Sequence, residues 1–70
     1  RMTYKERLEF QQLEKDIAAL EDEKKTIEDL LCGGTLGVDE LTEKSKRLHT
    51  VNEEIYEKTM RWLELSEITA

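Results

Sequence analysis

The stretch Cys32-Gly33-Gly34-Thr35-Leu36-Gly37 decides the fold, because it holds all three glycines of a 70-residue chain that has no proline. Glycine reaches the left-handed backbone conformation without a Cβ penalty and commonly stands just past a helix C-terminus. Gly33-Gly34 therefore predicts the end of one helix, and a second helix follows. Since the connection is only about six residues long, the second helix must fold back and form an antiparallel hairpin.

The first helix is predicted from about residue 3 to about residue 31. Thr3-Tyr4-Lys5-Glu6 matches a capping box, in which the Thr hydroxyl and the Glu carboxylate each accept a bond from a backbone N–H of the first turn. Apolar residues then follow at alternating spacings of three and four, which is the a/d heptad pattern of a coiled-coil seam. The seam residues are Phe10, Leu13, Ile17, Leu20, Ile27 and Leu31, with Lys24 as a single polar break.

The second helix is predicted from about residue 38 to about residue 68, with its N-cap at either Gly37 or Asp39. Its seam consists of Leu41, Leu48, Ile55 and Trp62 at every seventh position, and Val51 and Leu65 between them, interrupted by Lys44 and Lys58. Folding about the glycines places Leu20 opposite Leu48 and Phe10 opposite Lys58. The fold class is therefore all-α, a single antiparallel two-helix coiled-coil hairpin over residues 1–70.

Composition limits what such a chain can do. Charged residues make up 40% and apolar residues 37%, so the core is a thin seam and we expect it to rest on a second copy or on a larger protein. The net charge of −6 argues against a uniformly basic nucleic-acid binder and against attraction to an anionic membrane. No apolar run reaches the length of a membrane span, so a soluble, cytoplasmic chain is expected.

The sequence predicts no catalytic site, no metal site and no cofactor. A two-helix rod offers no concave pocket in which to exclude water. Cys32 and His49 lack further ligands at metal spacing. The glycine-containing loop lacks the Lys-Ser/Thr pair and the flanking strand of a phosphate-binding loop.

Cations collect at the two ends of the predicted rod. At the open end, which we call the base, Lys5, Arg7, Lys58 and Arg61 are the candidate phosphate contacts, with Tyr4, Tyr56 and Trp62 available for stacking on bases. A second group lies toward the loop, which we call the tip: Lys24, Lys25, Lys44, Lys46 and Arg47. The alternative is that these cations bind no ligand and are the ordinary solvated charges found at the ends of a coiled coil.

A second set of apolar residues lies off the seam at the base. Tyr56, Met60 and Leu63 follow one face of the second helix, and Tyr4 and Leu8 lie on the first. Two interpretations stay open. Either the heptad slips locally, so that Thr59, Trp62 and Leu63 share the core, or Tyr56, Met60 and Leu63 form an exposed patch for a partner.

The chain also resembles a known family. The opening Met2-Thr3-Tyr4-Lys5-Glu6, the strings Leu13-Glu14-Lys15-Asp16-Ile17 and Ile27-Glu28, and the closing Tyr56-Glu57 through Arg61-Trp62-Leu63-Glu64 are similar to the C-terminal domain of Uup-type ABC-F ATPases. That family shows a Leu-Ser-Tyr-Lys-Glu opening and a Tyr-Glu-Arg-Trp-Glu-Glu-Leu closing. The resemblance covers nearly the whole chain.

The resemblance implies a C-terminal appendage of a bacterial protein that has two ATP-binding cassettes and acts on the ribosome or in related nucleic-acid processes. In the family this domain is associated with DNA binding, and ATP hydrolysis would belong to the parent protein. We therefore expect a non-catalytic arm that binds DNA or ribosomal RNA weakly through Lys5, Arg7, Lys58 and Arg61. The rival expectation is a structural arm that mediates homodimer formation or docks on the parent ATP-binding domains.

Overall fold

The structure, a computed structural model, describes residues 1–68 as two long helices that lie antiparallel. Helix α1 spans Tyr4–Cys32 and helix α2 spans Val38–Ile68. Together they form a rod of 50 × 17 × 14 Å. The all-α hairpin is confirmed, and both helices have the predicted bounds to within one residue.

The capping box at the start of α1 is present in full. The backbone N–H of Glu6 donates to the Thr3 hydroxyl at 3.1 Å, and the N–H of Thr3 donates to the Glu6 carboxylate at 2.9 Å. Both N–H groups would otherwise lack a helical partner. The bond from Thr3 also lowers the pKa of Glu6, because it favours the ionised carboxylate.

The turn between the helices uses its glycines differently. Gly33 is still right-handed and donates its N–H to the carbonyls of Asp29 and Leu30, whereas Gly34 has a φ of 70°. Gly34 is therefore the residue that supplies the left-handed conformation. The carbonyl of Gly37 accepts a 2.9 Å bond from the N–H of Leu41, so Gly37 rather than Asp39 is the N-cap of α2.

The core is a seam of predicted heptad residues. Leu13, Leu20 and Ile27 of α1 and Val51 and Leu65 of α2 are buried. Leu31, Leu48 and Ile55 are half-buried and pack against Leu20, Ile27 and Val51. Because each helix can bury only one apolar stripe against a single partner, the remaining side chains of the two helices are half-buried or exposed.

The predicted register is wrong at the base. Phe10 stacks on Trp62, with ring centroids 5.4 Å apart and an interplanar angle of 18°, instead of lying beside Lys58. One cause is that α1 ends at Cys32 and α2 begins at Val38, so the hairpin folds about residue 35 and not about residue 34, which moves the residue opposite any given position by two. The other is that helical side chains lean toward the N-terminus of their own helix, which in an antiparallel pair adds about two more.

One further expectation needs correction, and one of the two interpretations left open for the base is not supported. The heptad pattern places Leu41 in the seam, but Leu41 is 38% exposed, since in the observed register it lies near the end of α1 and little of that helix covers it. A heptad slip would bring Leu63 into the core, but Leu63 is 43% exposed and its neighbour Leu65 is fully buried. The original heptad therefore continues to the base.

Candidate functional site

One long edge of the hairpin carries three cross-helix ion pairs. Glu9, Asp16 and Glu23 recur every seven residues along α1, at the position that flanks the seam on one side. Each contacts a cation of α2: Glu9 with Arg61, Asp16 with Lys58 and Glu23 with Arg47. We call this set of six residues the paired edge.

Two of these pairs are bidentate. Arg61 donates from Nε to Glu9 Oε2 at 2.8 Å and from Nη2 to Oε1 at 3.0 Å. Arg47 donates from Nε to Glu23 Oε2 at 2.6 Å and from Nη2 to Oε1 at 2.8 Å. The parallel N–H groups of a guanidinium match the two oxygens of a carboxylate, so these pairs fix the relative position of the helices.

The third pair forms from a seam position. Lys58 occupies the same heptad position as Val51 and Leu65, and it reaches Asp16 Oδ2 at 3.1 Å. Its stem lies along the seam while its ammonium group reaches the edge, which is how a lysine tolerates a half-buried site. Asp16 accepts a further bond from Gln12 Nε2 at 2.8 Å.

The ion pairs hold the carboxylates in their ionised form. The pKa of Glu9 is lowered by the hydrogen bonds from Arg61, and the pKa of Glu23 by those from Arg47. The pKa of Asp16 is lowered first by the bond from Gln12 and then by the bond from Lys58. In each case the donor favours the charged state over the protonated state.

The four predicted nucleic-acid contacts fall into two pairs. Lys58 and Arg61 belong to the paired edge, so their charges are already matched by carboxylates. Lys5 and Arg7 lie on the first two turns of α1, are exposed, and make no ion pair with any residue from 1 to 68. Tyr4, 69% exposed, lies next to them. Of the four predicted contacts, Lys5 and Arg7 are therefore the two without an ion-pair partner among residues 1–68.

The tip-proximal cations also divide. Arg47 is held by Glu23 and lies 3.9 Å from a Glu54 oxygen. The four lysines of this group make no ion pair within the described part of the chain: Lys24, Lys25, Lys44 and Lys46. Lys24 and Lys44 are half-buried at seam positions, and Lys25 and Lys46 are exposed.

The apolar residues at the base are on the surface. Tyr56 is 66% exposed and Met60 45%, and Leu63, Tyr4 and Leu8 are exposed as well. On α2, Tyr56 and Leu63 share one heptad position and Met60 lies beside it, so the three form a continuous strip. We call Tyr56, Met60 and Leu63 the apolar strip.

The other long edge has no ion pairs among residues 1–68 and is open. Here α1 presents Glu14, Glu21 and Glu28 at seven-residue spacing, and α2 presents Ser45, Asn52 and Thr59. We call these six residues the open edge. Near its base end lies a shallow groove of about 340 Å³, lined by Glu14, Ile17, Ala18, Thr59 and Trp62.

The remaining polar chemistry is sparse. Cys32 is a free, exposed thiol, and His49 lies 3.4 Å from Glu53, four residues along the same helix. Over residues 1–68, no group of three or more His, Cys, Asp or Glu side chains is placed to hold a metal ion.

Sequence reasoning missed both edges, although the signal was present. The acidic residues recur at seven-residue spacing on either side of the α1 seam, whereas the cations that match them occur only on one side of α2. Grouping charges by heptad position instead of by height along the rod would have separated the paired cations Lys58 and Arg61 from the free ones.

Comparison with known proteins identifies the chain. A protein-family model described as ABC transporter C-terminal domain matches residues 1–67. No curated protein and no solved structure matches. Neither helix of the described residues is long and apolar enough to cross a membrane. Because the family model covers nearly the whole chain and the hairpin has the expected architecture, the chain belongs to the family of ABC transporter C-terminal domains, accessory domains of ABC proteins.

Proposed function

We propose that this hairpin is the C-terminal, non-catalytic arm of a longer, cytoplasmic ABC-F type ATP-binding protein, and that its base contacts DNA or ribosomal RNA. The observation that carries the proposal is the state of Lys5 and Arg7. Both are exposed at the base without an ion-pair partner among the described residues, next to the exposed ring of Tyr4. ATP hydrolysis is the work of the parent protein.

The mechanism is electrostatic. Lys5 and Arg7 contact phosphates, and the Tyr4 ring stacks on an unpaired base or packs on a sugar. Lys58 and Arg61 contribute less, since a phosphate must first displace Asp16 or Glu9 from them. Two free cations position the arm on a backbone and read no sequence. With a net charge of −6, binding is weak and depends steeply on salt.

The test is a titration of fluorescently labelled duplex DNA and structured RNA with the 70-residue chain across a salt series. Lys5→Glu and Arg7→Glu are compared with Lys15→Glu, which makes the same charge change at an exposed position in the middle of α1. Each base variant should weaken binding by about tenfold at low salt, and Lys15→Glu by about twofold or less. Equal losses in all three variants, or no binding by the unmodified chain, would contradict the proposal.

The apolar strip supports a second candidate function, a protein-interaction arm. Tyr56, Met60 and Leu63 leave a continuous apolar surface in water, which is typical of a docking site. The partner would be a second copy or the parent ATP-binding domains. Met60→Glu should then change the association state and retain helicity, whereas Thr50→Glu, on another face of α2, should change neither. Sedimentation and far-UV circular dichroism measure both, and an unchanged association state in Met60→Glu would rule out self-association through the strip.

A further inference from the structure

The open edge has the shape and charge of a binding site for another helix. We propose that it binds a basic amphipathic helix, which lies along the groove between α1 and α2 as a third helix with Lys or Arg facing the α1 carboxylates. This inference is independent of nucleic-acid binding, which concerns the base.

The charge of the open edge selects a cationic ligand. Glu14, Glu21 and Glu28 are exposed and have no ion-pair partner among residues 1–68. The facing residues of α2 are neutral: Ser45, Asn52 and Thr59. On the paired edge, by contrast, each repeating carboxylate has its own cation. Two cations bring positive charge to this side of the α1 seam: Arg7, at the same heptad position as Glu14, and Lys25, at the same heptad position as Ala18.

The groove supplies an apolar contact beside those carboxylates. Its lining includes Ile17, Ala18 and Trp62, which are respectively half-buried, exposed and half-buried. Trp62 is held by its stacking on Phe10, so its exposed part forms a fixed wall. The small Ala18 leaves room for an apolar side chain of a ligand. The groove is shallow and open, with a volume of about 340 Å³.

The spacing favours a helix as the occupant. Three carboxylates at seven-residue intervals lie about two turns apart along α1, and cations at the same interval on a neighbouring helix face them in register. The rim of carboxylates repels phosphates, so nucleic acid does not fit this edge. A second copy presents at the same edge three carboxylates, neutral side chains and only two isolated cations, Arg7 and Lys25, so it lacks a row of cations at seven-residue spacing.

The probe is a synthetic helical peptide of about three heptads with Leu at a and d, Lys at e and g, and no aromatic residue. Trp62 is the single tryptophan of the chain, so its emission reports on the groove. Ala18→Arg, which places bulk and positive charge in the groove, is compared with Ala19→Arg, the same change at an exposed neighbour outside it. A second matched pair is Glu21→Gln on the open edge and Glu43→Gln away from it.

We expect the peptide to shift Trp62 emission saturably. Ala18→Arg should weaken binding by about tenfold or more, and Ala19→Arg by about twofold or less. Glu21→Gln should weaken it more than Glu43→Gln. If both members of each pair lose affinity equally, the peptide follows net charge alone and the proposal is wrong. It is also wrong if the peptide leaves Trp62 unchanged, or if Trp62 emission already shifts with protein concentration in the absence of peptide, which would indicate a second copy in the groove.

Discussion

The two long edges of the hairpin share one sequence pattern on α1 but differ in whether its carboxylates form ion pairs with α2. On each, α1 repeats a carboxylate every seven residues: Glu9, Asp16 and Glu23 on the paired edge, and Glu14, Glu21 and Glu28 on the open edge. On the paired edge α2 answers with cations at 2.6–3.1 Å. On the open edge α2 presents small neutral side chains, and a groove lies between the two helices.

The difference teaches where a highly charged rod can bind a ligand. A charge that is paired across the hairpin must give up its partner before it binds a ligand, while a charge without a partner needs no such exchange. For this reason our proposal assigns the ligand contacts at the base to Lys5 and Arg7 before Arg61, which is paired with Glu9. The open edge is likewise the side on which a further helix can be added.

Both edges depend on the apolar seam that holds the two helices together. Truncating a buried seam residue should therefore have the largest effect on stability of all the changes considered. Leu65→Ala deletes a fully buried side chain and should cost about 2–5 kcal/mol of unfolding free energy, a loss of roughly 10 °C or more in Tm. Leu63→Ala removes an exposed side chain two residues away and should cost less than about 0.5 kcal/mol. Thermal unfolding followed by circular dichroism measures both. Equal losses would place the seam elsewhere.

Acid should break the ion pairs of the paired edge by protonating its carboxylates, whereas the open edge has no ion pairs to lose among residues 1–68. The pKa values of Glu9, Asp16 and Glu23 are lowered in the folded state, so their stabilisation is present above the ordinary values and is lost as pH falls through the lowered ones. The ordinary values are 4.5 for Glu and 3.8 for Asp, so Tm should begin to fall below about pH 4.5.

A matched pair of triple variants isolates the cause of this acid loss. Glu9→Gln/Asp16→Asn/Glu23→Gln should reduce the fall in Tm between about pH 6 and about pH 2 by roughly 5 °C. The control Glu14→Gln/Glu21→Gln/Glu28→Gln removes the same number of carboxylates from the open edge. It should leave unchanged the part of the fall in Tm that comes from the ion pairs of the paired edge. If both variants flatten the pH profile to the same degree, the ion pairs are not its source.

Single substitutions compare one charge of the paired edge with one charge of the open edge, and their expected effects on Tm are the smallest. Arg61→Gln leaves Glu9 without its cation and should lower Tm by about 1–4 °C, an effect that disappears in roughly 1 M salt. Glu21→Gln breaks no ion pair and removes one of many negative charges, so Tm should stay the same or rise slightly. A loss in Glu21→Gln as large as in Arg61→Gln would mean that the open edge is not open in solution.

The sequence predicted the helices because their signals are local and strong. The capping box at Thr3, the turn glycines and the seven-residue seam each specify structure within one or two turns. Register was harder to predict, because a turn centred on residue 35 instead of residue 34, together with the lean of side chains, changes which residues face each other across the hairpin. The misplacement of Phe10 opposite Lys58 follows from that small difference.

The candidate site was only partly predictable for the same reason. Lys5, Arg7, Lys58 and Arg61 were grouped by their height along the rod, and height does not say which cations face a carboxylate across the seam. The groove beside Trp62 results from the small side chains of Ala18 and Thr59 at facing edge positions. Such a gap becomes visible only when the register of both helices is known.

One measurement tests the division of the surface most directly: amide chemical-shift mapping of the ¹⁵N-labelled chain with duplex DNA or structured RNA, and separately with the basic helical peptide. Nucleic acid should shift the amides around Tyr4 to Leu8 and leave the open edge unchanged. The peptide should shift the amides around Glu14 to Glu21 and Thr59 to Trp62 and leave Lys5 and Arg7 unchanged. The account is contradicted if both ligands shift the same amides, or if the shift changes caused by either ligand are spread evenly along the paired edge. In that case the contrast between free and paired charges does not govern binding.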